Sequence, residues 1–134
     1  SGCLDYRLYR WNFSKTNTPM TSYYPELNQR IEEMSDGDEE FRLELTQAIY
    51  RGLVELKKVY SEGSQEKDMH KIQQIRHKLK PTLSMFDFEL LTHNLQEGKE
   101  ILESTGFDDR FQAHFADFIQ HVEQAIKEVE LLVN

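Results

Sequence analysis

The chain has 134 residues and a formal net charge of −8, from 16 Lys and Arg against 24 Asp and Glu. That length suits one domain with one sizeable core, and the acidic balance argues against a nucleic-acid surface, which needs a dominant basic face to displace counterions from phosphates. Cys3 is the single cysteine, which excludes an internal disulfide or a multi-cysteine zinc site and suits a reducing compartment, so a cytoplasmic location is expected.

Residues 1–24 mix Tyr6, Tyr9, Trp11, Phe13, Tyr23 and Tyr24 with Ser, Thr and Asn around Pro19, and no helical or strand period persists. They read as an N-terminal arm or linker. Its aromatics are too many for a solvated tether, so part of it is expected to pack on the domain formed by residues 25–134. No apolar run approaches the roughly 20 residues that cross a bilayer, and no charged-then-apolar signal pattern opens the chain.

Pro25 suits the first turn of a short helix reaching Met34. Asp36-Gly37-Asp38 breaks that helix and offers a cap for the next, with Glu39 and Glu40 favourable in its first turn. Phe41, Leu45, Ala48, Ile49, Gly52, Leu56 and Val59 then keep a three-to-four spacing up to an expected turn at Ser61-Glu62-Gly63-Ser64. A second long helix is expected from about Glu66 to Phe86 on Ile72, Ile75, Leu79, Leu83 and Phe86. The third uses Leu90, Leu91, Leu95, Gly98, Ile101 and Leu102, from a cap at Asp87 to a stop near Thr105-Gly106. The fourth runs from about Asp108 to Leu132 on Phe111, Phe115, Phe118, Val122, Ala125, Ile126 and Val129.

No stretch alternates polar and apolar residues, and the connections are short. The pattern predicts an all-α fold, an antiparallel up-and-down four-helix bundle with a short additional N-terminal helix and the irregular arm. Gly52 and Gly98 each cost roughly 1 kcal/mol against alanine inside a helix, which predicts close helix contacts at both.

The second long helix carries Ile75-Arg76-His77-Lys78-Leu79-Lys80-Pro81-Thr82-Leu83-Ser84. Successive residues turn by about 100°, so His77 lies about 160° from the centre of the apolar stripe and faces water. Gln73, Gln74 and His70 precede it on that face, and Lys80, Pro81 and Ser84 follow. From Glu66 to Lys80, five cations (Lys67, Lys71, Arg76, Lys78, Lys80) stand against Glu66 and Asp68, a local charge of about +3. A solvated helix face accounts for such a cluster by itself; its coincidence with an outward histidine favours a site.

A bundle invites a di-iron centre, which needs a Glu three residues before a His on each of two helices. None of the five histidines has one. His70/His77 and His114/His121 share faces, but two turns put the rings roughly 10 Å apart, so no metal site is expected. No nucleophile elbow and no Gly-rich phosphate loop is present. His93, His114 and His121 border apolar stripes and read as packing or surface residues. There remains an exposed imidazole, a nucleophile with a sizeable unprotonated fraction near neutral pH. Phosphoryl transfer depends chiefly on alignment and on neutralising the equatorial oxygens, and Lys80 is placed to supply part of that neutralisation.

His77-Lys78-Leu79-Lys80, with Ser84 one turn further on and Asp36 to Phe41 leading into the first long helix, resembles the histidine-containing phosphotransfer (HPt) domains of bacterial two-component phosphorelays. In that family the phosphate-accepting histidine opens a His-x-Leu-Lys-Gly pattern on the second long helix of a four-helix bundle. The similarity extends over about residues 27–132, although the specific motif is short. It implies that His77 is the phosphoacceptor and Lys80 its electrostatic partner, within a docking surface that includes Gln73, Gln74, Lys78, Pro81 and Ser84. It also implies a carrier with no self-sufficient catalysis and no cofactor of its own, the Mg²⁺ being held by the partner. The implied partners are response-regulator receiver domains or a hybrid sensor histidine kinase, with no nucleic acid and no membrane insertion; a monomer would suffice.

Pro81 departs from the family pattern, where glycine lets a receiver approach closely. Proline cannot donate to the carbonyl of His77, which predicts a kink at the active turn or, alternatively, a helix that ends near Lys80. It also keeps open a helical adaptor that binds a partner through the His77 face without covalent chemistry, and a structural bundle with no dedicated site.

Overall fold

The first four helices each end within two residues of one in a left-handed conformation. The computed structural model describes residues 21–133, and among them the fold is all-α: α1 spans Leu27–Ser35, α2 Glu39–Glu66, α3 Met69–Met85, α4 Glu89–Ser104 and α5 Asp109–Val133. The breaks between them hold Asp36 (φ 51°) and Gly37 (φ 82°), Lys67 (φ 56°), Asp87 (φ 57°) and Gly106 (φ 78°). Three long helices then start on an aspartate, because a short carboxylate can accept an otherwise orphaned N–H of the first turn. Asp38 accepts from Phe41 N–H at 3.0 Å, Asp68 from Lys71 at 3.0 Å and Asp108 from Phe111 at 3.1 Å. The part of the arm before residue 21, including Cys3 and the aromatics up to Phe13, lies outside the described residues.

Several boundaries differ from those expected. No turn forms at 61–64; α2 continues to Glu66, with Gly63 and Ser64 buried inside it. A Cβ on Gly63 would lie 2.7 Å from Cγ1 of Ile72, so this glycine admits the start of α3. The Ser64 hydroxyl donates to the Tyr60 carbonyl at 2.8 Å and is satisfied without leaving the helix. Pro25 and Glu26 form a turn ahead of α1. Asp87 does not cap α4 either: the N-cap is Phe88, with no side-chain cap bond. The Leu91 N–H of that first turn donates instead to the Tyr24 hydroxyl at 3.2 Å.

Helix α2 packs on α3 and α5, α4 packs on the same two helices, and α1 lies against α2. The stripe of α2 that enters the core is Thr46, Ile49, Leu53, Leu56, Tyr60 and Gly63. Phe41 is one residue off its extension and is 42% exposed; the stripe reaches Arg42, whose guanidinium donates to the Leu132 carbonyl at 3.3 Å. Leu90 is likewise one residue off the α4 stripe and is exposed. Tyr60 stacks on Phe118 with ring centroids 4.1 Å apart, joining α2 to α5.

The end of the arm is part of the domain. The Glu128 carboxylate accepts from the Ser22 hydroxyl (2.6 Å), from the backbone N–H of Tyr23 (2.7 Å) and Tyr24 (3.1 Å), and from the Gln124 amide (2.6 Å). Tyr24 is buried against Phe88. Among the described residues, no helix is long and apolar enough to cross a membrane.

Candidate functional site

Burial of Ile72, Ile75, Leu79 and Leu83 fixes the rotation of α3, and that rotation leaves His77 exposed on the opposite side. The helix runs without interruption through Pro81 to Met85. Three buried side chains, Leu79, Leu83 and Phe86, straddle the proline, and their packing holds the helical phase across a position that has no N–H for the His77 carbonyl.

His77 lies at a groove between α3 and α4 that encloses about 200 Å³. The α3 wall presents Gln73, Arg76, His77, Lys80 and Ser84; the α4 wall presents Thr92, Gln96 and Lys99, over a floor of Leu83 and Leu95. Of the residues expected at the site, the groove therefore gathers His77, Lys80, Gln73 and Ser84. Gln74, Lys78 and Pro81 are exposed on α3 but do not line it. Lys78 turns the other way, to Glu55 of α2 at 3.0 Å. The α4 wall escaped the sequence reading. Its signal was a polar series, Thr92, Gln96 and Lys99, at helical spacing beside Leu95.

The charges of α3 divide by side. Toward α2, Lys71 meets Glu66 (3.0 Å) and Glu62 (3.8 Å), and Lys78 meets Glu55. Toward α4, Arg76 and Lys80, like Lys99 on the facing wall, have no carboxylate within 4.0 Å among the described residues, and no Asp or Glu lines the groove. A chain of net charge −8 thus holds an uncompensated cationic groove around one accessible imidazole. Such a groove attracts an anion, and its apolar floor limits the water that screens the attraction.

A second histidine has the opposite environment. His114 is buried, its Nε2 lies 2.7 Å from the Tyr60 hydroxyl, and its Nδ1 has no hydrogen-bond partner, with the Glu97 carboxylate 3.9 Å away. Burial holds its pKa below the usual imidazole value, against the pull of Glu97. Burial also raises that of Tyr60. This pair ties α2 to α5 and is remote in environment from the His77 groove.

Among the described residues, no group of three or more His, Cys, Asp or Glu is arranged to hold a metal ion. Comparison with family models, with curated proteins and with solved structures gives no match.

Proposed function

We propose that this chain is a phosphohistidine carrier of a phosphorelay. The observation that carries the reading is the exposure of His77 in a groove that gathers Arg76, Lys80 and Lys99 and no carboxylate. In the transfer, the lone pair of an unprotonated ring nitrogen of His77 forms an N–P bond as the P–O bond of an aspartyl phosphate on a receiver domain breaks, and the aspartate leaves as carboxylate. The reverse exchange delivers the group to an aspartate of a second receiver. The receiver holds the Mg²⁺; this domain contributes an oriented nucleophile and cations that neutralise charge on the transferred group. It has no catalysis of its own.

On this reading α2 to α5 form an antiparallel up-and-down four-helix bundle, with α1 as the additional N-terminal helix, working as a monomer in the cytoplasm. The packing of α2 on α3 and α5, and of α4 on the same pair, supports that arrangement. The receiver docks on the exposed face of α3, where Pro81 stands in place of glycine. A receiver that tolerates the added ring is therefore expected.

Incubation with phosphorylated receiver domains tests the proposal. The expected result is acid-labile, alkali-stable label on the native chain and none on His77→Gln. Docking without label on the native chain would reject the carrier and favour the adaptor.

A further inference from the structure

We infer that Lys99 is a second charge-neutralising residue of the His77 site, acting from α4 across the groove from Lys80; the inference rests on the carrier reading above. A transferred phosphoryl group spreads its charge over three equatorial oxygens. Lys80 sits on the same helix as the nucleophile, and a neutralising group on the other side has to come from another element. Among the described residues α4 forms the facing wall, and Lys99 is the cation on it.

Its surroundings fit this use. Helix α4 carries Glu89, Glu97, Glu100 and Glu103, yet none of them lines the groove. Lys99 is half-buried and has no carboxylate within 4.0 Å among the described residues, although Glu103 follows it by one turn. Glu100 instead accepts from the Gln96 amide at 3.1 Å. A lysine on an acidic helix that forgoes a local ion pair and faces a histidine groove is oriented toward an external anion. Lys78, by contrast, is satisfied by Glu55.

Phosphoramidate tests Lys99 without any receiver. In that reaction the ring nitrogen of neutral His77 attacks phosphorus, the P–N bond of the zwitterionic donor breaks, ammonia leaves with the electron pair, and the second ring nitrogen keeps its proton. Label mapped to His77 on the intact chain is expected. Lys99→Gln should slow labelling about threefold or more, and Lys99→Arg should restore most of the rate. The difference should shrink at high salt, as a charge effect must. Lys127→Gln on α5 makes the same change in net charge away from the groove and should label at the native rate. Native-rate labelling of Lys99→Gln would overturn the assignment, as would a Lys99→Arg variant as slow as Lys99→Gln. Absence of His77 label on the native chain would instead overturn the carrier reading and this inference with it.

Discussion

The Tyr60 hydroxyl lies 2.7 Å from Nε2 of His114 in the core, and Gly98 of α4 is the residue that leaves room for both side chains. One polar contact thus brings three helices together, α2, α5 and α4. Tyr60→Phe keeps the ring stack on Phe118 but leaves Nε2 of a buried imidazole without a partner. It should lower stability by about 1–3 kcal/mol, read as a lower urea midpoint at unchanged slope. The native chain should also weaken in mild acid. Because burial depresses the pKa of His114 in the fold, its contribution is complete above the unfolded value, near 6.5, and is lost as pH falls through the folded value. His114→Gln should flatten the stability profile between about pH 7.5 and 5.5; an unchanged slope would show that another group controls it.

Gly98→Ala and Gly52→Ala make the same chemical change in two helices and should part in outcome. A Cβ on Gly98 meets the His114 ring and places the Tyr60 hydroxyl at 2.5 Å, and neither ring can yield without breaking their contact. The alanine preference of about 1 kcal/mol is outweighed, and a net loss of about 2 kcal/mol is expected. At Gly52 the neighbour is the terminal Cδ1 of Leu79 at 3.1 Å, which can rotate. That variant should fall within about 1 kcal/mol of native. Thermal unfolding of the two alanine variants side by side checks the contrast.

Glu128 and Tyr24 hold the end of the arm, and they titrate in opposite directions. Burial pushes the Glu128 carboxyl up, but the donors from Ser22, Gln124, Tyr23 and Tyr24 outweigh it and hold the group below 4.5. Its stabilisation is therefore full above the unfolded value and is lost as pH falls through the folded one. Glu128→Gln should cost about 1–2 kcal/mol at neutral pH and make acid unfolding less steep. The Tyr24 hydroxyl is pushed up to about 12, chiefly by burial and further by the charge of Glu128, against the Leu91 N–H. Stability should accordingly fall as pH rises from 10 through about 12. Tyr24→Phe should remove part of that loss and speed hydrogen exchange at the Leu91 amide.

Lys78 and Lys80 are two residues apart and indistinguishable by composition, but α3 turns them to different neighbours. Lys78→Gln breaks an exposed ion pair with Glu55, worth about 0–1 kcal/mol, and should leave labelling by phosphoramidate close to native. Lys80→Gln removes a cation from the groove and should slow labelling about tenfold. Equal rates in the two variants would show that the groove does not define the site.

Much of the helical order was legible in the chain because both its signals are local. Apolar spacing at 3.6 residues per turn located the four long helices, and the aspartates at 38 and 108 marked starts that the structure retains. The solvent-facing side of His77 followed from the same periodicity, since a helix with one apolar stripe has only one way to bury it. Tertiary packing decided the rest. Gly63 and Ser64 read as a turn, yet the approach of Ile72 makes glycine useful inside α2, a reason that no window of sequence contains. The first turn of α4 is served by a hydroxyl from Tyr24, 67 residues away. Above all, the α4 wall of the groove exists only because α3 and α4 pack together. Residues on one helix can be placed relative to one another by its known rise and turn, whereas the distance from His77 to Lys99 depends on how two helices meet.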